Sequence, residues 1–394
     1  MAADRQTSDV LVVGGGIIGL SVAWRLAQRG MSVALLERDR IGGSASWAAA
    51  GVLAAGAWQR RDAAVEFQRK SLRLYPRFCA EVAEASGIDP EYANCGSIEL
   101  LFEEQKLRMA LVETDAAEAY LDFENKPVLR LLTPADARQI EPKVTANCLG
   151  AKLCSFTSQV RNPRLLRALA IAARAAGARI IEGCEASALR RDGERIVGVH
   201  TRQGDFSAKT TVLCAGAWSS QVDPQIETSM PVHPVRGQIV LLHMQPSSLQ
   251  CIIRHRKAYV VPRLDGHILI GSTVEPDAGY DVNCTAEGIA ILLDQARRMV
   301  PPLASARFVQ TWAGLRPGTV DRRPYIGPVP GCDGLIAATG HYRTGLGLAP
   351  LTAEVVADLV IHGRSAYDLR PFQPGRAPVV QRSPQADRPC PPAH

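Results

Sequence analysis

The run Gly14-Gly15-Gly16-Ile17-Ile18-Gly19 constrains this chain most, because it joins a β-rich stretch at 9–14 to an apolar stretch of helical spacing at 17–29. Gly30 suits the left-handed position that closes a helix. Residues 32–37 read as a second buried strand ending in an acid, Glu37. Strand, glycine turn, helix, strand and acid in this order predict a βαβ unit that binds a dinucleotide. Gly14, Gly16 and Gly19 let backbone approach a pyrophosphate at the helix N-terminus, and Glu37 suits ribose hydroxyls. Glu37 disfavours a 2′-phosphate and the adjacent Arg38 softens that, so position alone does not separate NAD, NADP and FAD. Just beyond lies a small-residue run at 42–51, with Ser44 and Ser46 offering hydroxyls. It suits backbone passing a flat ligand and equally a helix packed through alanines; spacing does not decide.

Further along, Asn162 and Pro163 read as the cap and first residue of a helix ending at Gly177. Strands are expected at 178–182, 186–191, 195–201 and 210–216, with a hairpin turn at Asp192-Gly193. The pattern changes between 230 and 315. Strands at 237–243, 258–262 and 267–271 and a helix at 287–299 suggest an antiparallel α+β insertion. Residues 85–150 read as helical. A strand at 334–340 and a helix at 345–361 finish the fold, and the Pro-, Gln- and Arg-rich tail at 370–394 is expected to be disordered. The fold class is α/β.

A chain of 394 residues suggests about two or three domains. The net charge of +6 is spread out and aromatic residues are 5%, which argues against nucleic acid as a partner. No stretch reads as a membrane span, and the polar start lacks a secretory pattern. The ten cysteines form no C-x-x-C pair or Cys/His cluster, so neither a disulfide framework nor a metal site is expected, and a cytoplasmic location fits.

Near the C-terminus the motifs become specific. Gly340-His341-Tyr342-Arg343-Thr344-Gly345-Leu346-Gly347 resembles the closing motif of the FAD-dependent amine and D-amino-acid oxidase superfamily, in its glycine oxidase branch. Val235-Arg236-Gly237-Gln238, Trp312-Ala313-Gly314-Leu315-Arg316-Pro317-Gly318-Thr319 with Pro324-Tyr325-Ile326-Gly327, and Ser46-Trp47-Ala48-Ala49-Ala50-Gly51 resemble three more family segments, in order over residues 8–365. The resemblance implies a discontinuous Rossmann-like FAD-binding domain (1–85, 150–225, 315–365) and an antiparallel α+β substrate domain (86–149, 226–314). It implies FAD contacts at Ile17, Ile18, Glu37, Arg38, Ala45, Ser46, Ala50, Gly51 and Val52, at backbone near Ala186, and along 341–347. It also matches Arg316 to the substrate-carboxylate clamp, Arg343 to a second active-site arginine and Tyr259 to a pocket tyrosine. Val274 stands where relatives carry methionine, which predicts a roomier pocket. Residues 309–329 contain no Cys, so non-covalent FAD is expected.

The implied reaction is oxidative deamination of glycine and other small amino acids or amines. Glycine, oxygen and water give glyoxylate, ammonia and peroxide, with hydride passing from Cα to flavin N5. The product imine is a candidate supply for thiamine thiazole synthesis. Two other readings stand beside it: a quinone-linked D-amino-acid or glycine dehydrogenase, and a flavin-binding protein without turnover. Arginine suits a carboxylate clamp because its fork is bidentate and always charged. His341, in a loop feeding a helix N-terminus, is expected to be neutral rather than a titrating catalyst. Small amino acid and oxygen are the expected partners; a homo-oligomer is left open.

Overall fold

The computed structural model describes residues 6–56, 58, 60–245 and 249–377. Its first sheet is built on the βαβ unit. Thr7–Val13 pairs in parallel with Val33–Leu36 on one side and Phe206–Leu213 on the other, and the row extends to Arg179–Ile181 and Leu335–Thr339. Tyr325–Pro328 closes one edge antiparallel, while Arg195–Thr201 and Ala186–Asp192 form a hairpin added to Phe206–Leu213. Strands of a parallel sheet are buried on both faces and read as continuous apolar runs. Val10 and Val12 face the helices Ile17–Gln28, Ala63–Ser86, Asn162–Ala175 and Gly345–His362, while Leu11 and Val13 pack on the hairpin side.

The second sheet has the order Arg307–Gly318, His233–His243, His267–Gly271, Ala258–Pro262, Ile252–His255, Ser97–Leu101, Gly150–Cys154, Leu129–Leu132. Its neighbours are antiparallel except for Ile252–His255 beside Ser97–Leu101. Alternation splits its residues between two cores. Val240, Val260 and Ile270 pack on the helix Ala286–Met299. Ile239, Tyr259, Val261 and Trp312 face Ala50 and Val52 of the first unit.

Several expectations are corrected. Residues 85–150 hold two strands as well as helices, because the apolar runs at Ser97–Leu101 and Leu129–Leu132 complete the second sheet. Arg307–Gly318 is one strand of that sheet across the expected boundary at 314/315, and Gly150–Cys154 joins it as well. The tail is packed where it begins. Phe372 is buried against Phe67, and Arg376 pairs with the buried Asp321 at 2.8 Å. The rest of the tail expectation, 378–394, falls outside the described residues. Gly345–His362 is long and apolar enough to cross a membrane, which the sequence reading overlooked; it is largely buried against Ile17–Gln28 and Ala63–Ser86.

Candidate active site

A cavity of about 620 Å³ runs between the two units. One end lies at the C-terminal edge of the first sheet, where ligands of α/β folds collect. There Gly14 has φ of 108°, a conformation that glycine tolerates, and a Cβ on it would sit 2.4 Å from the Cys214 carbonyl. The helix Ile17–Gln28 starts without a side-chain cap, and the Ile17 N–H donates instead to Ser46 Oγ at 3.0 Å. Its first N–H groups therefore point at the small-residue loop and the cavity. Glu37 accepts from Gly15 N at 2.7 Å and from Asp39 N at 3.0 Å, so its carboxylate is fixed at the cavity wall. Arg38 lies 3.6 Å above the Trp218 ring, a cation–π stack.

The cavity brings together Gly14, Gly16, Ile17, Ile18, Glu37, Arg38, Ala45, Ser46, Ala50, Gly51, Val52 and Ala186. It is also lined by His341, Tyr342, Arg343, Thr344, Gly345 and Leu346, and by Tyr259 and Arg316. Two expected contacts are corrected. Gly19 is not in the wall: a Cβ there would come within 1.9 Å of the Gly14 carbonyl, so it serves helix-to-strand packing. Gly347 lies within the helix Gly345–His362 and faces Leu72. Val274 lines a neighbouring cavity of about 400 Å³, whose wall shares Tyr342 and Arg343 with the first. Asn162 does not cap its helix. Its amide donates to the carbonyls of Ser46 and Trp47 at 2.8 and 2.7 Å and anchors the small-residue loop. Buried Arg263 holds the same loop from the second sheet, donating to Ala50 O at 2.9 Å. Trp47 packs against Trp312 rather than lining the cavity.

At the other end stands Arg316. Its Nη1 donates to the carbonyls of Arg236 and Thr273 at 3.2 and 3.1 Å, and its Nη2 to Ser272 Oγ at 2.6 Å. These bonds leave Nε–H and one Nη2–H without a hydrogen bond among the described residues, donors suited to a carboxylate. Burial lowers the Arg316 pKa and the nearby Arg343 charge adds to this, but an arginine stays charged regardless. The guanidinium rests on Gly237, where a Cβ would lie 2.1 Å from it. Tyr259 rests likewise on Gly271, with 2.5 Å from a Cβ to its hydroxyl. Sequence reasoning missed both clearances, as well as Ser272 and Trp218. The signal for Trp218 was its place just after a buried strand of the first sheet.

His341 is buried, 3.3 Å from Thr352 Oγ1, and burial pulls its imidazole down to about 3. It is thus neutral in the folded protein and protonated only in the unfolded chain below about pH 6.5. Its contribution to stability is complete above that pH and is lost as pH falls toward 3. We expect a loss of roughly 2 kcal/mol by pH 5. Melting temperature measured against pH should therefore decline from about pH 6.5 downward, and His341→Gln should flatten that decline. An unchanged slope assigns the acid sensitivity elsewhere.

The model of the FAD dependent oxidoreductase family, DAO, matches residues 9–359. The chain belongs to this family. Glycine oxidase of Pseudomonas aeruginosa is 37% identical to this DAO-family chain over 94% of it and 99% of that protein. The bifunctional protein ThiO/ThiG of Synechocystis sp. is 34% identical over 94% of this chain, which spans 54% of that protein. The crystal structure of glycine oxidase from Geobacillus kaustophilus aligns with a TM-score of 0.87 at 33% identity, covering 96% of this chain and 99% of that one. FAD fits the DAO-family site: the close backbone at Gly14, the helix start at Ile17 and fixed Glu37 suit its adenosine diphosphate half, and the cavity continues to Arg316.

Proposed function

We propose that this DAO-family protein oxidises glycine and other small amino acids or amines, using oxygen and releasing peroxide. The observation that carries this reading is Arg316, with two uncommitted N–H groups in the same cavity as the cofactor end. The relatives named glycine oxidase, matched along nearly their whole length, support it. Arg316 binds the substrate carboxylate and Tyr259 adds its hydroxyl, which fixes the orientation of Cα. Residues 341–346 and the Ala45–Val52 segment exclude water from that point. FAD, when bound, accepts the electrons and hydrogen from Cα and passes them to oxygen. No side-chain base is needed if the amine enters neutral.

We further read the FAD as non-covalent. Cys184 and Cys214 line the cavity, and burial pushes both thiols up, so they are protonated and unreactive. All nine described cysteines are unpaired, which agrees with a cytoplasmic location. The likeness to a ThiO/ThiG protein supports delivery of the imine product to thiazole synthesis. Oxygen uptake and peroxide release with glycine, sarcosine, D-alanine and D-proline test the reading. Flavin bleaching by these substrates without peroxide would make the protein a dehydrogenase, and no bleaching by any of them would refute the proposal.

A further inference from the structure

Glycine needs one arginine at its carboxylate, yet beyond Arg38 the cavity is lined by Arg254, Arg256, Arg316 and Arg343. The two carboxylates among the lining residues, Glu37 and Glu185, belong to the other end, beside Arg38 and Ala186. Arg256 is paired with Glu103. Arg254 differs. It is half-buried and makes no hydrogen bond or ion pair among the described residues. Register places it directly across from Tyr259, which in turn lies across from Gly271. Arg254 thus shares the cavity-facing side of the sheet with Tyr259, on the far side of it from Ser272 and the Arg316 guanidinium. Two strand spacings put its Cα about 10 Å from that of Gly271. Its other cross-strand neighbour, Glu99, is engaged by Lys152 at 3.0 Å; the Arg254 charge helps hold that carboxyl below its usual range, with no direct contact between the two.

The neighbouring cavity has the same sign. Lys257, Arg322 and Arg343 line it, with no carboxylate among the described lining residues. A cleft lined by one charge sign raises the encounter rate of opposite charges. Glycine is net neutral near pH 7 and gains little from such a field. An amino acid with a second carboxylate is net negative and gains both the field and a partner for Arg254.

We infer that Arg254 is a specificity residue, and that the cavity takes amino acids bearing a second carboxylate, with Arg316 holding one acid group and Arg254 the other. This rests on the oxidase reading above. The chemistry is unchanged: iminodiacetate, oxygen and water would give glyoxylate, glycine and peroxide. Two diacids, iminodiacetate with its second acid on nitrogen and D-aspartate with it on the side chain, are compared with sarcosine and D-alanine as monoacid counterparts. At low salt at least one diacid should match or exceed its counterpart in kcat/KM. That advantage should shrink several-fold between about 0.02 and 0.5 M salt, as screening shortens the reach of the field. Arg254→Met should cut the diacid-to-monoacid ratio by about tenfold or more, and Arg254→Lys should restore part of it.

Ratios equal in wild type and Arg254→Met, or no salt-sensitive diacid advantage in wild type, would overturn the inference. Should Arg254→Met not fold, the wild-type salt series decides. Glycine oxidation with unmoved diacid ratios removes this inference alone. Diacid bleaching that depends on Arg254, without glycine oxidation, removes instead glycine as the substrate.

Discussion

Arg316→Ala is expected to lower kcat/KM for glycine by roughly 30- to 5000-fold, the effect of leaving a carboxylate unpaired in a water-poor site at about 2–5 kcal/mol. Flavin content should stay at the wild-type level, because the residue stands at the far end of the cavity from Gly14 and Glu37. Arg316→Lys should fall between wild type and alanine. It keeps a positive charge but loses the fork, and it cannot reproduce the three bonds to Arg236 O, Thr273 O and Ser272 Oγ. A simple amine has no carboxylate to lose, so its oxidation should suffer much less. That contrast separates a lost clamp from general damage, which would hit both substrates alike. Gly237→Ala offers a second route to the same state, since its Cβ would occupy the space of the guanidinium without touching the cofactor end. If Arg316→Ala retains near-normal glycine activity, or loses amine and amino-acid oxidation equally, Arg316 is not the clamp and Arg343 takes its place as first candidate.

The clamp was legible in sequence only through its motif. Periodicity marks apolar faces, and by that measure Arg316 is one charged residue at the end of a strand. Its setting depends on register: Val235 opposite Arg316 and Gly237 opposite Gly314 make a bare shelf that only the paired strands reveal. The same holds for Tyr259 over Gly271. The βαβ unit, by contrast, was readable in full, because strand, glycine turn, helix and acid are contiguous and each has a local physical signature. Residues 85–150 misled for the opposite reason. Their strands are short and pair with partners far along the chain: Ser97–Leu101 lies beside Ile252–His255, so local pattern alone favoured helix. Asn162 misled through a strong local rule. An asparagine before a proline reads as a cap, yet here the amide is used across the fold, on Ser46 and Trp47. Arg254 has no sequence signature, and only the cavity shows a guanidinium in its wall that makes no hydrogen bond or ion pair among the described residues.

Among the cofactor-end residues, the glycines should separate binding from folding. At Gly16, φ is −76° and a Cβ would meet only Ser46 Oγ at 3.1 Å, so Gly16→Ala should cost little stability. Gly16→Val adds two branches at the helix N-terminus, where the pyrophosphate must approach backbone N–H groups. We expect folded but colourless protein, with flavin content below about a tenth of wild type and a near-normal far-UV spectrum. Gly19→Ala should behave differently although its residue does not line the cavity. Its Cβ would lie 1.9 Å from the Gly14 carbonyl, a backbone atom that cannot swing aside, so the helix Ile17–Gln28 must move off the first sheet. That helix carries Leu20, Ala23, Trp24 and Leu26 in the main core, so loss of flavin should come with loss of soluble, cooperatively melting protein. Flavin absorbance and thermal melting measured on both variants distinguish the two outcomes. A yellow Gly16→Val protein would refute backbone approach at that position, and a stable, yellow Gly19→Ala protein would refute the tight helix-to-strand contact.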